Sequence, residues 1–292
     1  MPTIYITGAN GQVGQELRIA ASDFKELECH FLTRADLDIS DSDAVRAYFE
    51  ERPFDYLINT AAYTAVDQAE SDTEAARTVN VDAVRYLAEA CARRNAILVH
   101  YSSDYVYHNG LDRPLREDDP TTPQGVYAAT KLEGEQVARD TCQALILRTS
   151  WVHSNYGHNF VKTIRRLAQS RPELTVVNDQ IGTPTYARDL AYVTLSLIHK
   201  VECEQCDRDL LDDTYNYSDE GVAGWYDFAR AIVKHQKIAC TITPVPSSSY
   251  PTAAKRPSYS ILDKSKIKAA FGLSIPHWEN SLIRALNVEV NS

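Results

Sequence analysis

The sequence contains no long hydrophobic run, and no apolar stretch approaches the ~18 residues that a membrane-spanning helix requires. It also lacks a cationic, apolar leader, because strand-like residues already begin at Thr3 and leave no room for a signal peptide. We therefore expect no membrane partner and a cytoplasmic location.

Positive charge is also in deficit, because the sequence has 30 Lys and Arg residues against 40 Asp and Glu residues. The net charge is therefore −10. This balance argues against a general affinity for nucleic acid, although a local basic pocket can still hold one anionic small molecule. The hydrophobic fraction of 44% and the charged fraction of 24% are close to globular averages, so we expect a folded chain.

Motifs for metal-dependent or serine-nucleophile chemistry are missing. The sequence has neither G-x-S-x-G nor H-E-x-x-H, and its eight histidines show no ligand spacing. Cys203 and Cys206 form a lone C-x-x-C without a second ligand pair, which favours two loop thiols over a metal or redox site. We therefore predict no metal site.

Short apolar runs alternate with helical patterns through the first half of the chain. We predict strands at residues 3–7, 28–33, 55–59, 96–101 and 144–148, and helices at residues 12–22, 41–52, 73–94 and 126–140. This alternation implies parallel strands joined by right-handed crossovers. The predicted fold class is α/β, with a Rossmann-type doubly wound parallel sheet.

The alternation weakens after residue 151, and prolines punctuate residues 244–257. We predict a dinucleotide-binding domain at residues 1–150, joined by parts of 175–200 and 224–240. The rest of residues 151–292 is expected to form a smaller, mixed α/β substrate-binding lobe. Such a lobe would close over the crevice where open α/β sheets bind ligands.

A glycine-rich turn directly follows the first predicted strand and opens a helix. It reads Gly8-Ala9-Asn10-Gly11-Gln12-Val13-Gly14, a G-x-x-G-x-x-G run. Glycines allow backbone N–H groups to approach a pyrophosphate, and the helix N-terminus adds a partial positive charge. An ordinary βα turn is the alternative, but the position of the run after the first strand favours dinucleotide binding.

The residues that end the next two strands refine the choice of cofactor. Arg34 lies where an acidic residue would hold the ribose 2′-OH of NAD, so it suits a 2′-phosphate and favours NADPH over NADH. Asp38 and Ile39 follow and could flank the adenine. The small residues of Asn59-Thr60-Ala61-Ala62 would let the cofactor lie close to the sheet.

Tyr127 and Lys131 form a Y-x-x-x-K pair in a predicted helix, which places both side chains on one face. A tyrosine titrates near ~10, and a neighbouring ammonium lowers that pKa towards the range useful for acid–base catalysis. The alternative is an exposed i,i+4 pair. Ser103 favours the catalytic reading, because Tyr101-Ser102-Ser103-Asp104 ends the preceding strand, where ligands bind.

Asn80 lies on the otherwise apolar face of the long helix predicted at residues 73–94. It could satisfy a buried backbone group, or it could anchor a water or a loop beside the site. We favour the structural reading.

Taken together, these motifs resemble the dTDP-4-dehydrorhamnose reductase family of extended short-chain dehydrogenases. The resemblance covers nearly the whole chain. Besides the glycine turn and the Tyr127/Lys131 pair, it rests on the following segments: residues 59–67, Tyr101-Ser102-Ser103-Asp104-Tyr105-Val106-Tyr107, Arg148-Thr149-Ser150-Trp151-Val152, Asn178-Asp179-Gln180, Gly182-Thr183-Pro184-Thr185 and Arg256-Pro257.

The resemblance implies reduction of the C4 ketone of a dTDP-linked deoxysugar to dTDP-L-rhamnose, with NADPH or NADH. Tyr127 would protonate the developing alkoxide, Lys131 would lower the tyrosine pKa and hold the nicotinamide ribose, and Ser103 would polarise the carbonyl. Asp104 and Trp151 would contact the substrate. The residues that would line the cofactor are Gly11, Gln12, Val13, Asp38, Ile39, Ala62, Tyr63, Thr64 and Tyr101.

One departure from the family bears on assembly. Some members dimerise through a magnesium ion bound by glutamates; Glu16 matches one ligand position, but Arg188 stands where another is expected. We therefore expect a monomer or a homodimer without this metal bridge. The alternative functions are another nucleotide-sugar epimerase or reductase, and a non-catalytic subunit similar to the methionine adenosyltransferase β subunit.

Overall fold

The computed structural model describes residues 1–108 and 110–288. Its strands are β1 (Thr3–Thr7), β2 (Glu28–Leu32), β3 (Tyr56–Asn59), β4 (Ile97–Ser103), β5 (Ala144–Thr149), β6 (Val152–His153), β7 (Glu173–Val177), β8 (Ile181–Gly182), β9 (Thr185–Tyr186), β10 (Thr214–Asn216), β11 (Ala223–Gly224) and β12 (Thr241–Val245). Six of them form a parallel sheet in the order β2-β1-β3-β4-β5-β10. The predicted doubly wound sheet is confirmed.

The direction of winding reverses between β1 and β3, and ligands bind open α/β sheets at the carboxyl ends of the strands beside such a point. The central strands β3, β4 and β5 are buried along their whole length, as expected for a parallel sheet covered on both faces. Thr7 pairs with Asn59, and Asn59 with His100. Polar side chains from three strands therefore lie at one level.

Helices cover both faces of this sheet. The helices of the described residues are α1 (Gln12–Ala20), α2 (Ser42–Glu50), α3 (Val66–Ala69), α4 (Thr73–Arg77), α5 (Ala83–Arg94), α6 (Val126–Thr141), α7 (Phe160–Ser170), α8 (Ala187–Glu202), α9 (Trp225–His235), α10 (Ser265–Phe271) and α11 (Trp278–Asn287). Short 3-10 turns follow at Ala21–Asp23, Asp104–Val106, Arg208–Leu211 and Ser247–Ser249. In the described ranges, no helix combines the length and apolar character needed to cross a membrane.

The helix predicted over residues 73–94 contains a π turn at Thr78–Asp82, between α4 and α5. The π turn brings Asn80 against α6 so closely that a Cβ at Gly134 would overlap the Asn80 carbonyl oxygen. A π turn inserts one residue into the helical repeat, and the apolar spacing that indicated this helix, at Val84, Leu87, Ala88 and Cys91, lies entirely after the turn. The sequence pattern therefore predicted an unbroken helix.

The chain after β5 divides between two hydrophobic cores. Helices α8 and α10 and strand β10 join the sheet through Leu190, Phe271 and Tyr215. In contrast, α7, α9 and the parallel β7–β12 pair enclose a separate core around Phe228. The packing of α9 differs from the expectation that part of residues 224–240 joins the first domain. The domain division at residue 150 stays a prediction.

Candidate active site

The glycine turn lies at the switch point of the sheet and has room only for glycine at two positions. Gly8 has a φ of +71°, and a Cβ there would lie 2.6 Å from the backbone nitrogen of Ala61. A Cβ at Gly14 would lie 2.5 Å from the Gly8 carbonyl oxygen. No side chain caps α1 at Gly11, so its first N–H groups are available to an anion. This cradle fits a dinucleotide pyrophosphate.

The other residues of the turn differ in their surroundings. The side chain of Asn10 is exposed, whereas Val13 packs against the sheet core. The Gln12 Oε1 accepts a hydrogen bond of 2.8 Å from Asn159 Nδ2, at the start of α7. The predicted cofactor turn is therefore tied to the second part of the chain.

Arg34 and Asp38 lie together past the end of β2. The Arg34 side chain is 85% exposed, and its Nη2 lies 3.1 Å from Asp38 Oδ2. Hydrogen bonds from Ser40, assisted by Arg34, hold the pKa of Asp38 below its usual range. Ile39 was predicted to flank the adenine, but its side chain is buried in the core beside Val45. Arg34 is therefore the most exposed side chain of this predicted group, and it is paired with the half-exposed Asp38.

The loop after β3 is held by Asn80. The Asn80 Oδ1 accepts a hydrogen bond from the Tyr63 backbone nitrogen at 2.9 Å, and its Nδ2 donates to the Tyr63 carbonyl at 3.2 Å. Asn80 therefore satisfies backbone groups and, through the same contact, anchors a loop. The structural and the functional interpretation of this residue both describe that contact. The anchored loop contains Ala61, Ala62 and the exposed Thr64, beside the glycine turn.

Tyr127, Ser103 and Asp104 meet at the carboxyl end of β4. Burial raises the pKa of Tyr127 to about 12, and a hydrogen bond with Ser103 opposes the rise. The Ser103 hydroxyl donates to Asp104 Oδ1 over 3.1 Å and accepts from the Tyr105 backbone nitrogen over 3.2 Å. Burial raises the pKa of Asp104 to about 6. At neutral pH the phenol therefore carries its proton.

Lys131 is buried one turn after Tyr127, and its side chain contacts β4. Its Nζ donates to the Tyr101 carbonyl oxygen at 2.6 Å and lies 3.3 Å from His100 Nε2. Burial lowers the pKa of Lys131 to about 8. Burial, Ser103 and Asp104 are the groups that shift the pKa of Tyr127 in this arrangement, so the lowering of that pKa by Lys131 stays a prediction.

The Tyr101 ring, predicted to line the cofactor, belongs to the core that α8 covers. Its hydroxyl bonds Thr194 Oγ1 at 2.8 Å. Tyr101 therefore contributes its carbonyl rather than its ring to the Lys131 side of the site.

Trp151 adopts a left-handed backbone conformation, with a φ of +48°. Its indole stacks on Trp225 with a centroid distance of 3.5 Å and an interplanar angle of 9°. A Cβ at Gly182 would lie 2.9 Å from the Trp151 ring, so glycine leaves room for the indole. Strained backbone at a bulky residue is typical of functional sites. The sequence reading included Trp151 and missed Trp225, whose pattern is that of an ordinary amphipathic helix.

Glu16 is fully buried, and its carboxylate accepts hydrogen bonds from Arg188 Nε and Ser154 Oγ, both at 2.7 Å. The guanidinium thus neutralises the charge that a metal ion would otherwise balance. Within residues 1–108 and 110–288, no group of three potential metal ligands is present. These contacts agree with the expectation that a magnesium bridge is absent, which stays a prediction.

Comparison with known proteins identifies relatives over nearly the full chain. The model of the RmlD substrate binding domain family matches residues 2–290. The dTDP-4-dehydrorhamnose reductase of Aggregatibacter actinomycetemcomitans is 39% identical over 289 residues, with 97% of each chain covered. The protein of the same name from Escherichia coli K12 is 37% identical, again with 97% of each chain covered.

Solved structures agree with these relatives. The dTDP-4-dehydrorhamnose reductase of Bacillus anthracis, solved in complex with NADP, aligns with a TM-score of 0.91 and 35% identity, covering 98% of each chain. A UDP-glucuronic acid 4-epimerase of Bacillus cereus shares the fold at a TM-score of 0.81, but only 18% identity, with 97% of each chain covered. The resemblance seen in the motifs is confirmed, and the chain belongs to the dTDP-4-dehydrorhamnose reductase family.

Proposed function

We propose that this chain reduces the C4 ketone of dTDP-4-dehydro-6-deoxy-L-mannose to dTDP-L-rhamnose. The observation that carries the proposal is that Tyr127, Ser103 and Asp104 meet at the carboxyl end of β4, the same edge of the parallel sheet at which β1 enters the glycine turn. A phenol that keeps its proton at neutral pH can donate it to the oxygen of a ketone as that oxygen gains charge. The names of the relatives agree with this reading.

The cofactor that we propose is NADPH, with NADH as the alternative, and it supplies a hydride to the substrate carbon. The glycine turn and the N-terminus of α1 would hold its pyrophosphate. Arg34 would pair with a 2′-phosphate, and the loop of Ala61, Ala62, Tyr63 and Thr64 would border it. Lys131 would hold the nicotinamide ribose near Tyr127.

The protein's own residues would handle the proton and the orientation of the ketone. Ser103 has one hydroxyl hydrogen, which now points at Asp104, and rotation of that hydroxyl would direct it to the substrate oxygen. Tyr127 then delivers its proton to the same oxygen. The stacked indoles of Trp151 and Trp225 offer an apolar wall for the deoxysugar.

Two alternative functions make different predictions. An epimerase would recycle its nicotinamide without net oxidation, whereas a reductase consumes one NADPH for each ketosugar reduced. A regulatory subunit similar to the methionine adenosyltransferase β subunit would bind a nucleotide without turnover. The buried Lys131 and Ser103, next to the half-buried Tyr127, favour catalysis, because polar groups are costly to bury without a partner or a use.

The decisive experiment supplies the dTDP-ketosugar and follows NADPH absorbance together with sugar product. We expect stoichiometric oxidation by the native chain, and a loss of at least ~10²-fold in kcat for Tyr127→Phe with cofactor affinity nearly unchanged. Tyr192→Phe is the matched control, because this tyrosine is exposed on α8. Near-native kcat in Tyr127→Phe removes that residue from its role, and product without net NADPH oxidation indicates an epimerase.

We also propose that the partner of this chain is its dTDP-linked sugar substrate, and that the protein is located in the cytoplasm. It is expected to be a monomer or a homodimer. Gel filtration of the purified chain tests the last of these.

A further inference from the structure

The N-terminus of α6, the helix that carries Tyr127, is capped from a different part of the chain. Its N-cap residue, Gly125, has no side chain that could accept a hydrogen bond from the first turn. The carboxylate of Glu70, which follows the last residue of α3, accepts from the Val126 backbone nitrogen over 2.8 Å instead. A negative charge also suits the partial positive charge of a helix N-terminus. The first N–H group of α6 is therefore satisfied by a residue 56 positions earlier in the chain.

The backbone at Gly125 leaves room for this contact. Its φ is +86°, a value that glycine adopts without strain, and a Cβ at this position would overlap Glu70 Oε1. Any larger residue would push the carboxylate away from the Val126 nitrogen. Glycine at position 125 and glutamate at position 70 therefore depend on each other.

The carbonyl groups of the same turn are held as well. Thr130 Oγ1 lies 2.9 Å from the Val126 carbonyl oxygen and 3.0 Å from that of Tyr127. Asn80 Nδ2 donates to Thr130 Oγ1 over 3.2 Å, which leaves the hydroxyl hydrogen of the threonine for a carbonyl of α6. The Tyr105 ring packs edge to face against the Tyr127 ring, with centroids 5.7 Å apart. These contacts fix the turn on the side of its carbonyls, and the external cap fixes its N–H end.

We propose that Glu70 is a positioning residue, whose cap on α6 sets where the Tyr127 hydroxyl lies relative to Ser103. The proposal deepens the proposed function and rests on it for its kinetic meaning. Tyr127 directly follows Val126, so a change in the direction of the first turn moves the phenol with it. Proton transfer depends steeply on such placement. Glu70 thus acts through the Val126 backbone rather than on the reacting atoms.

The backbone that carries Glu70 is itself held in place. Ala69, the last residue of α3, is fully buried, and Asp67 on the same helix accepts from the Ala254 backbone nitrogen over 3.0 Å. The Glu70 side chain is exposed, and one exposed cap is a small part of the stability of a chain of this size. Loss of the cap should therefore alter the first turn of α6 and leave the protein folded.

The first test needs neither cofactor nor substrate. Hydrogen exchange of the Val126 amide in 15N-labelled protein reports directly on the cap. We expect Glu70→Ala to speed this exchange by about tenfold, and Glu70→Gln, which keeps an oxygen acceptor, to leave it near the native rate. Unchanged exchange in Glu70→Ala overturns the proposal. This result is separate from turnover, so a native chain with the cap but without reductase activity would sink only the proposed function.

The second test measures turnover of the dTDP-ketosugar with NADPH. We expect Glu70→Ala to lower kcat by at least about tenfold and to leave the KM for NADPH near its native value, because the cap acts on the phenol. Glu70→Gln should restore most of the lost kcat. A general loosening of the fold would change both constants and would not be rescued by glutamine. Equal losses of kcat in the two variants, or none in Glu70→Ala, would contradict the proposal.

Glu74→Ala is the matched control, because Glu74 is an exposed glutamate in the first turn of α4. It should leave both the Val126 exchange and kcat near their native values. Gly125→Ala should have the same effect as Glu70→Ala, since the added methyl group displaces the carboxylate. In the double variant the two losses of kcat should be less than additive, because either change alone removes the cap. Strictly additive losses would count against the cap as their common cause.

Discussion

Arg256 and Asp67 form a two-pronged ion pair, with Nη1–Oδ1 and Nη2–Oδ2 distances of 3.0 and 2.6 Å. They are 189 residues apart in the chain. Asp67 lies in α3, just after the loop that we propose borders the cofactor. Because the Ala254 backbone nitrogen also donates to Asp67, this carboxylate fastens the segment around Arg256 to the sheet domain.

The first prediction concerns this pair. Arg256 holds the pKa of Asp67 below its usual range, so its stabilisation is present above the unfolded pKa and is lost as the pH falls through the folded value. A double-mutant cycle with Asp67→Asn and Arg256→Gln should give a coupling of about 1 kcal/mol at pH 7, since both partners are partly exposed. The coupling should shrink as the pH falls below the usual aspartate range, because protonation of Asp67 removes its charge. Chemical denaturation measures the coupling free energy. If the losses of stability in the two single variants simply add in the double variant at pH 7, the ion pair does not stabilise the fold.

A second prediction tests the choice of cofactor. Arg34→Ala should raise the KM for NADPH more than the KM for NADH, because only NADPH carries a 2′-phosphate. We expect about a tenfold difference, the loss typical of one charge-assisted contact of ~1.4 kcal/mol. Steady-state kinetics with both cofactors provides the measurement. Equal changes would refute a contact between Arg34 and the phosphate.

The third prediction concerns the close approach of α6 to the π turn. Gly134→Ala places a methyl group against the Asn80 carbonyl and should destabilise the fold by about 1–3 kcal/mol, although alanine is the better helix former. Ala129→Gly, on the exposed side of the same helix, should cost only ~1 kcal/mol by propensity. Urea denaturation compares the two. A more stable Gly134→Ala would show that the helices separate easily.

The fourth prediction assigns a role to the Trp151–Trp225 stack. Trp225→Leu removes the support behind the Trp151 indole and should raise the KM for the ketosugar several-fold, with a smaller effect on the KM for NADPH. Tyr226→Leu changes the next residue of α9 and serves as the control. The stack is irrelevant to the substrate if the two variants have the same KM for the ketosugar.

The fifth prediction is a pH-dependent stabilisation at Asp219. Its Oδ2 accepts from the Tyr186 backbone nitrogen, and burial, helped by Asp189, raises its pKa to about 8. Since the folded state holds this proton more tightly, the group's contribution is full below the unfolded pKa and is lost as the pH rises through about 8. Asp219→Asn should therefore raise the Tm at pH 8 by the equivalent of about 1 kcal/mol or more, and leave it unchanged at pH 4.

Thermal unfolding at both pH values measures this effect. Asp23→Asn, at an exposed carboxylate, should show no such dependence on pH. If Asp219→Asn raised the Tm equally at pH 4 and pH 8, the gain would not come from the titration of Asp219, and the prediction would be wrong.

Much of the sheet could be predicted because its signals are local. The strand ending at Thr7, the glycine turn and the Tyr127/Lys131 spacing each need fewer than ten neighbouring residues to be recognised. The π turn at Asn80 could not be predicted in this way, because it is decided by the contact with Gly134 on another helix. The stacking of Trp225 on Trp151 could not be predicted either, because the two residues are 74 positions apart. Neither aromatic side chain lies in a local pattern that indicates the contact.

The sequence by itself determined the order of strands and helices, the place of the glycine turn and the helix that carries Tyr127 and Lys131, because periodicity and backbone chemistry act over a few residues. Only the tertiary structure decided that Lys131 donates to the Tyr101 carbonyl and that Arg256 pairs with Asp67. Those outcomes depend on donors, acceptors and charges brought together from distant parts of the chain, and on the burial that makes each unmet hydrogen bond costly.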